Sequence, residues 1–511
     1  MQSLQPTQGV SLRKVFPDGR IYGGHDIRIS SCCADPYGCR LGDLFVAVES
    51  PDLDGHDFVL EAVRRGAKAI LAERQLPVDA PICIVPDSRE AYGRLCQTLA
   101  GHPSQQLRTI GVSGTNGKTT TSMLIASVLK AAKQRTGVLN TIAYHDGSEC
   151  APATRTTPGA SELAYWMSRM RSAGCVNAVL EVSSQALAQK RTAGVELDAA
   201  VLTNVRRDHL DFHGNVFNYR QAKARLFEHL KPHGFAVVNA DDAASKFLLR
   251  RLDCPVLTVG MRMPAELTAS VVERYACEQT ILLSAGNETA AVQTRMFGDH
   301  HVYNCLAAAA VGLVLGLDLN TVARGLESLD HVPGRLEPIV CGQPFGVYVD
   351  YARTPDTLAV SLRTLRQVTS GRVICVFGAD ADGDPSQRPL LGRVVERSAD
   401  LGIITGDNPR WEPPLEIAHD IIDGYRRPAK AHVLPNRSEA IRWALGEAKP
   451  DDAVLIAGKG DQGIQVVGDE EQCFDDYEVA RKWLYEVGAQ IDYEQEPRRV
   501  IPLNREVQFA N

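Results

Sequence analysis

Thr109-Ile110-Gly111-Val112-Ser113-Gly114-Thr115-Asn116-Gly117-Lys118-Thr119-Thr120 is the stretch on which the reading of this chain turns. Ile110-Gly111-Val112 closes an apolar run that reads as a strand. Leu124, Ile125, Val128 and Leu129 then recur at helical spacing, so a helix begins directly after the turn. Strand, glycine-rich turn, Lys-Thr and helix is the arrangement that cradles phosphate. Glycines let backbone N–H groups approach phosphate oxygens, and the helix N-terminus adds partial positive charge. On this reading Gly114, Thr115, Asn116, Gly117, Lys118, Thr119 and Thr120 hold a nucleotide, Lys118 reaches its outer phosphates, and the Thr119 hydroxyl ligates Mg²⁺. Val112 stands where the strict GxxxxGK[ST] pattern has its first glycine. A turn that merely caps a helix is the plain alternative, and it leaves Gly-Lys-Thr-Thr unexplained.

Outward from this loop, apolar runs end repeatedly in polar or glycine-containing turns. AVLEVSS (178–184), AAVLTNV (199–205) and FAVVNADD (235–242) follow it. VYVDY (347–351), RVICVFG (372–378), LGIITGD (401–407) and AVLIAGKG (453–460) come later. Alternation with helical segments predicts α/β domains with mostly parallel sheets, whose ligands bind at the carboxyl ends of the strands. Before the loop, LFVAV (44–48) and AILA (69–72) read as strands with a helix over Phe58–Arg65 between them. GHPSQQ (101–106) reads as a linker. The expected division is residues 1–105, 106–335 and 336–489, with 490–511 a tail or packed arm.

The bulk numbers exclude several classes. At 511 residues with a formal net charge of −7, no basic stripe marks a nucleic-acid binder. Thirteen cysteines, an odd count without paired CxxC elements, do not form a disulfide or zinc framework and read as thiols in a reducing cytosol. The start, MQSLQPTQGVSLRKVF, is not a signal peptide, and no run of about 18 apolar residues predicts a membrane span. The expected localisation is cytoplasmic and the expected state monomeric.

GTNGKTT resembles the form of the phosphate loop used by Mur ligases and folylpolyglutamate synthetases, and the similarity to the Mur ligases runs in order over about residues 25–485. It implies three α/β domains: an N-terminal UDP-sugar-binding domain, a central P-loop ATPase-like domain with a parallel sheet, and a C-terminal Rossmann-like domain that binds the amino acid. Glu181, at the end of AVLE, is then a Mg²⁺ ligand. Asn204-Val205-Arg206-Arg207-Asp208-His209-Leu210-Asp211 matches the N-x-x-x-DHLD element and places His209 near a second Mg²⁺. Lys223, in a helical stretch over Tyr219–Leu230, matches a lysine carbamylated by CO₂, which requires an uncharged amine and hence a depressed pKa. Asn304, expected near the start of an Ala-rich helix, Arg335 in Pro333-Gly334-Arg335 and Asp350 in Asp350-Tyr351-Ala352-Arg353-Thr354-Pro355-Asp356 complete the ATP contacts. Arg353 stands where a histidine is common.

The same resemblance assigns Thr156, Thr157, Ser183, Gln189 and Arg191 to the UDP-sugar peptide. Asp35-Pro36-Tyr37 replaces the usual Asp-Ser-Arg, and Arg155 stands where some members have Asn. Asp407-Asn408-Pro409-Arg410 marks members that add meso-diaminopimelate, with Arg410 on the distal carboxylate, and Gly458 and Gln462 border that pocket. Two positions depart from the pattern: Gly383 replaces an arginine, and Asp461-Gln462 replaces His-Glu, so a cation and an anion are both missing.

The implied reaction is ATP-dependent addition of the third amino acid to UDP-N-acetylmuramoyl-L-Ala-D-Glu. ATP phosphorylates a carboxylate, an amine attacks the acyl phosphate, and ADP and phosphate leave. The alternatives are the same ligation with L-lysine or another amino acid, or a non-catalytic relative that binds nucleotide or precursor. The retained Lys118, Thr119, Glu181, His209, Lys223 and Asp356 favour an enzyme.

Overall fold

The structure is a computed structural model that describes residues 9–49, 53–249 and 252–488, so the expected tail lies outside the described residues. The chain divides into two compact units, Met1–Thr258 and Val259–Asn511.

The first unit contains two main sheets and a short antiparallel pairing of Val10–Ser11 with Arg28–Ile29. The N-terminal sheet has the strand order Arg20–Tyr22, Ile82–Ile84, Ala69–Ala72, Leu44–Val46, Cys32–Cys33, parallel apart from the first pairing. Every residue of Leu44–Val46 and Ala69–Ala72 is buried, the pattern of parallel strands covered on both faces. The helix expected over Phe58–Arg65 is a 3₁₀ turn, Gly55–Phe58, running into Val59–Arg64. The Asp54 carboxylate caps it by accepting from the His56 N–H at 2.9 Å.

GHPSQQ is a bend. Gly101 and His102 both have positive φ, and Pro103–Gln105 forms a 3₁₀ turn leading into Arg108–Ser113. That strand is central in the second sheet, whose first seven strands run in the order Cys150–Pro152, Ala143–His145, Thr136–Leu139, Asn177–Glu181, Arg108–Ser113, Leu197–Leu202, Leu230–Asn239. The last five run parallel. Register sets Glu181 beside Val112, and Leu202 beside Ser113. The strand ends carrying Glu181 and Thr203-Asn204 therefore flank the phosphate loop. Leu124, Ile125, Val128 and Leu129 of the Lys118–Ala131 helix are fully buried, as their spacing predicts. Lys223 lies in the helix Val216–Ala224, which begins earlier than expected because the Asn215 side chain accepts from the Asn218 N–H at 2.9 Å. Arg225–His229 then tightens into a 3₁₀ turn.

The second unit carries an antiparallel meander, Leu267–Arg274, Gln279–Ala285 and Glu288–Thr294. The helix Asp299–Val314 follows. It starts before the expected Tyr303-Asn304 because Gly298, at φ 99°, breaks the chain there and Asp299 places an acidic side chain on the first turn. The final sheet has the order Glu337–Pro338, Gly346–Asp350, Ala453–Ala457, Val373–Phe377, Leu401–Ile404, Ala431–Val433, and the last five strands are parallel. Tyr348 packs with Leu358, Leu362 and Leu365 on one face, and Val347 and Val349 with Ile441 and Ala444 on the other. Both faces are covered by helices, the doubly wound arrangement expected from the sequence. Four adjacent strands thus deliver Asp350-Tyr351, Gly458-Lys459, Asp380 and Asp407-Asn408 to one edge of the sheet.

Cys39, Cys83, Cys96, Cys175, Cys305 and Cys375 are buried thiols. Among the described residues no helix is long and apolar enough to cross a membrane.

Candidate active site

In the first unit the phosphate loop is fastened from the neighbouring strand. Thr115 N–H donates to the Asn204 carbonyl at 2.9 Å. The Asn204 side chain holds Asn116 at both ends, accepting from its N–H and donating to its carbonyl, each at 3.0 Å. Thr203 Oγ1 donates to the Asn116 carbonyl at 2.6 Å. Gly114, at φ 148°, passes so close that a Cβ there would lie 1.9 Å from Thr203 Oγ1, so only glycine fits. Gly117, at φ 83°, turns the chain into the helix. The first segment of DHLD was legible in the sequence, but this clamp by Thr203 and Asn204 was not. Its only signal was the Asn that opens the matched element.

The cations here meet neutral acceptors. Lys118 Nζ donates to the Thr115 carbonyl at 3.0 Å, and Lys223 Nζ to the Gly114 carbonyl at 2.6 Å. The Lys223 amine is buried, 4.7 Å from the centre of the Tyr219 ring, whose hydroxyl bonds Thr115 Oγ1 at 2.8 Å. Burial above all, and then the charge of Lys118, push the Lys223 amine well below the ordinary lysine range. That is the state carbamylation requires. His209, half-exposed and at φ 50°, lies 3.6 Å from the Asp208 carboxylate. Desolvation lowers its pKa, against the Asp208 charge, and Lys118 and Lys223 lower it further, which favours the neutral ring at neutral pH.

The Thr119 hydroxyl donates to Glu181 Oε2 at 3.0 Å, and the Thr141 N–H reaches the same oxygen at 3.0 Å. Glu181 is buried, and no cation pairs with it among the described residues. A hydroxyl and an unpaired buried carboxylate are hard oxygen donors that suit Mg²⁺. No group of three or more His, Cys, Asp or Glu stands ready to hold a metal among the described residues. An ion here would therefore complete its shell with phosphate and water oxygens.

The residues assigned to the sugar peptide lie beside Glu181. Thr157 Oγ1 donates to the Glu181 carbonyl at 2.8 Å and accepts from the Ser183 N–H at 2.9 Å. Thr156 Oγ1 accepts from Thr141 Oγ1 at 3.3 Å. Arg191 donates from Nε to Gln189 Oε1 at 2.8 Å and from Nη1 to the Thr157 carbonyl at 3.2 Å. It has no carboxylate partner among the described residues. Earlier in the chain, Asp35-Pro36-Tyr37 forms a turn in which Asp35 Oδ1 accepts from the Tyr37 N–H at 2.9 Å, with Arg65 5.5 Å from the Tyr37 ring centre.

The second unit brings together Arg335, Asp350, Asp407, Asn408, Arg410 and Gly458, and here the cations are paired. Arg335 meets Asp461 at 3.1 Å and stacks 4.3 Å from the centre of the Tyr351 ring. Asp461, a departure in the sequence, thus supplies a carboxylate to the arginine expected to contact ATP. Lys459 Nζ, wholly buried, lies 3.5 Å from Asp407 Oδ1 and donates to Asn408 Oδ1 at 2.9 Å. Gly458 has φ 119°, and a Cβ there would stand 2.6 Å from Asp407 Oδ2. Arg410 Nε lies 2.6 Å from Asp382, and its left-handed backbone, φ 48°, is held by bonds to Val466 and Gly468. Pro409 opens the turn that carries Arg410, its carbonyl accepting from the Glu412 N–H at 2.9 Å. The Gln462 side chain makes no hydrogen bond among the described residues; its N–H donates to the Lys459 carbonyl at 3.0 Å. Asp350 accepts from the Ser361 hydroxyl at 3.0 Å, and burial raises its pKa to about 6 against the pull of Arg335. Asn304 is buried in the second turn of its helix. Lys459 was not singled out by the sequence, because a lysine between two glycines carries no spacing signal.

Residues 112–312 match the Mur ligase middle domain, and residues 334–460 the Mur ligase glutamate ligase domain. A UDP-N-acetylmuramoyl-L-alanyl-D-glutamate–2,6-diaminopimelate ligase of Geobacillus kaustophilus (strain HTA426) is 42% identical over 454 residues, which are 88% of this chain and 93% of that protein. This chain belongs to the Mur ligase family. A solved ligase of the same description has a TM-score of 0.68 at 29% identity, over 94% of this chain and 99% of that one. A MurF ligase from Thermotoga maritima, solved in complex with ADP, shares the fold with a TM-score of 0.59 at 22% identity, over 90% of this chain and 97% of that one. Mur ligases are ATP-dependent enzymes that join acids to amines, and the expectations of an α/β fold and of an ATP-dependent ligase hold for this chain.

Proposed function

We propose that this Mur ligase adds meso-diaminopimelate, as the third residue, to UDP-N-acetylmuramoyl-L-Ala-D-Glu in peptidoglycan synthesis, forming ADP and phosphate through an acyl phosphate. The relative at 42% identity carries the name of that reaction. The observation that carries the choice of amino acid is Arg410, held out beside Asn408 on a strained turn with 44% of its side chain exposed. A guanidinium so placed suits a distal carboxylate that lysine lacks.

In this reading residues 1–105 bind the UDP sugar, 106–335 the ATP and 336–489 the amino acid. Lys118 and the N–H groups of Gly117–Thr120 at the helix N-terminus take the phosphates, Gly114, Thr115 and Asn116 shape the loop around them, and Asn304, Arg335 and Asp350 add nucleotide contacts. Thr119 and Glu181 hold Mg²⁺, supported by His209 and by Lys223 in its carbamylated form. Mg²⁺ supplies charge neutralisation during phosphoryl transfer. The neutral Lys223 amine attacks CO₂, forming an N–C bond and releasing a proton to solvent, so a buried neutral amine becomes an anion. Thr156, Thr157, Ser183, Gln189 and Arg191 hold the acceptor so that one carboxylate meets the γ-phosphate while Arg191 offers charge to another anionic group. A free carboxylate does not react with an amine, and phosphorylation converts its oxygen into a leaving group. The substrates are water-soluble, which fits a cytoplasmic, monomeric enzyme.

The test is the acceptor labelled with ¹⁸O in its glutamyl carboxylates, incubated with ATP, Mg²⁺ and meso-diaminopimelate. The reading predicts phosphate carrying one ¹⁸O and a tripeptide product. Unlabelled phosphate, or no turnover with any amine, would overturn it.

A further inference from the structure

Arg353 follows the strand Gly346–Asp350, yet its guanidinium reaches the turn at the end of a different strand. Nη1 lies 3.7 Å from Asp380 Oδ2, Nη2 bonds the Tyr351 hydroxyl, and the guanidinium carbon sits 4.2 Å from the centre of that ring. Its Nε–H is buried and has no hydrogen-bond partner among the described residues. The same Asp380 Oδ2 accepts from Asn408 Nδ2 at 3.2 Å, so Arg353 belongs to the cluster that holds Asn408 and Arg410. Gly383 lies on this turn, its N–H donating to the Asp380 carbonyl at 3.2 Å.

The turn therefore carries two carboxylates, each met by one arginine: Asp380 by Arg353 and Asp382 by Arg410. The Arg353 contact is long and leaves a donor unsatisfied, whereas Arg410 makes a close pair at 2.6 Å. A loosely paired, half-buried guanidinium stacked on an aromatic ring is pre-organised for a planar anion. Substrate carboxylate and Asp380 together leave the local charge balanced once the amino acid's ammonium group is counted.

We infer that Arg353 is a substrate-binding residue that grips the α-carboxylate next to the reacting amine of the incoming amino acid, taking the place of the cation absent at Gly383. The inference rests on the proposed ligation. Arg353 reads the carboxylate common to all α-amino acids, and Arg410 reads the second carboxylate of diaminopimelate. Replacing Arg353 therefore weakens every amino acid alike, while replacing Arg410 changes the choice among them.

The test measures KM for meso-diaminopimelate and for ATP in the wild-type chain, R353H, R353K and R353H/G383R. The expected result is a rise of about 10–100-fold in KM for the amino acid with R353H, the loss of one charge-assisted bond. R353K, which keeps the charge and loses the fork, falls between. KM for ATP stays within about twofold. A Cβ at residue 383 would meet only the Asp380 carbonyl, at 3.3 Å, and G383R restores KM in the R353H background. An unchanged KM for the amino acid, an equal rise in KM for ATP, or a double variant no better than R353H would overturn the inference. If R353H does not fold, R353K decides by the same two constants. Turnover by the wild-type chain separates failure of this inference from failure of the ligase reading, because only the latter abolishes it.

Discussion

The phosphate loop of the first unit and the strand-end cluster of the second treat charge in opposite ways. Around the loop, Lys118, Lys223 and Arg191 bond to carbonyl or amide oxygens, and Glu181 bonds to a hydroxyl and an N–H. In the second cluster Arg335, Arg353, Lys459 and Arg410 each face an aspartate. The first arrangement leaves cations waiting for an anion, as a polyphosphate site must. The second is electrically closed, so a ligand enters by exchanging with internal pairs, and a zwitterionic amino acid brings both signs. The comparison also places three departures from the family pattern, Arg353, Gly383 and Asp461, in the second cluster.

The contrast predicts different costs for losing a lysine on each side. Lys459→Ala leaves Asp407 buried without its cation and should lower unfolding stability by about 3–5 kcal/mol in a denaturant titration. A loss below about 1 kcal/mol would show that the second cluster is not closed by its pairs. Lys118→Ala should leave the unfolding midpoint in place, since the amine contacts only a carbonyl, and should slow phosphate release by about 10²–10³-fold. Unchanged release would remove Lys118 from the nucleotide site.

Asp350 supplies a pH test. Its pKa is raised to about 6, so the folded chain keeps this proton to higher pH than the unfolded chain, which releases it near about pH 3.9. The protonated form's contribution is fully present below the unfolded value and is lost as pH rises through 6. Asp350→Asn should therefore be more stable than the wild type by about 3 kcal/mol at pH 8, with the difference gone near pH 4. A difference independent of pH would mean that the Asp350 carboxyl is not held protonated by burial. The smallest effect concerns Gln462, whose side chain makes no hydrogen bond among the described residues. Gln462→Glu should raise kcat/KM for meso-diaminopimelate by about tenfold at most, through one added charge-assisted bond to an amine. A fall would place the amine elsewhere.

Much of this was legible in the sequence for a physical reason. A phosphate loop needs glycine at fixed φ values and a helix directly behind it, so Gly114, Gly117 and the Leu124/Val128 spacing carry the geometry in the chain itself. Glu181 and Asp350 were legible because each ends an apolar run. The partners that fasten these groups were not. Asn204 reaches Asn116 across 88 positions, and Arg335 reaches Asp461 across 126, and no local spacing announces either. Gly383, Arg353 and Asp461 read as separate departures in the sequence. Only the fold shows that the Arg353 guanidinium reaches Asp380 on the turn that carries Gly383, and that Asp461 supplies a carboxylate to Arg335.

The most direct test of the account is kcat/KM for meso-diaminopimelate against L-lysine, measured by phosphate release from the wild-type chain with the same acceptor and ATP. The account predicts a preference of about tenfold or more for meso-diaminopimelate, from the second carboxylate held by Arg410. Equal values, or a preference for lysine, would contradict it.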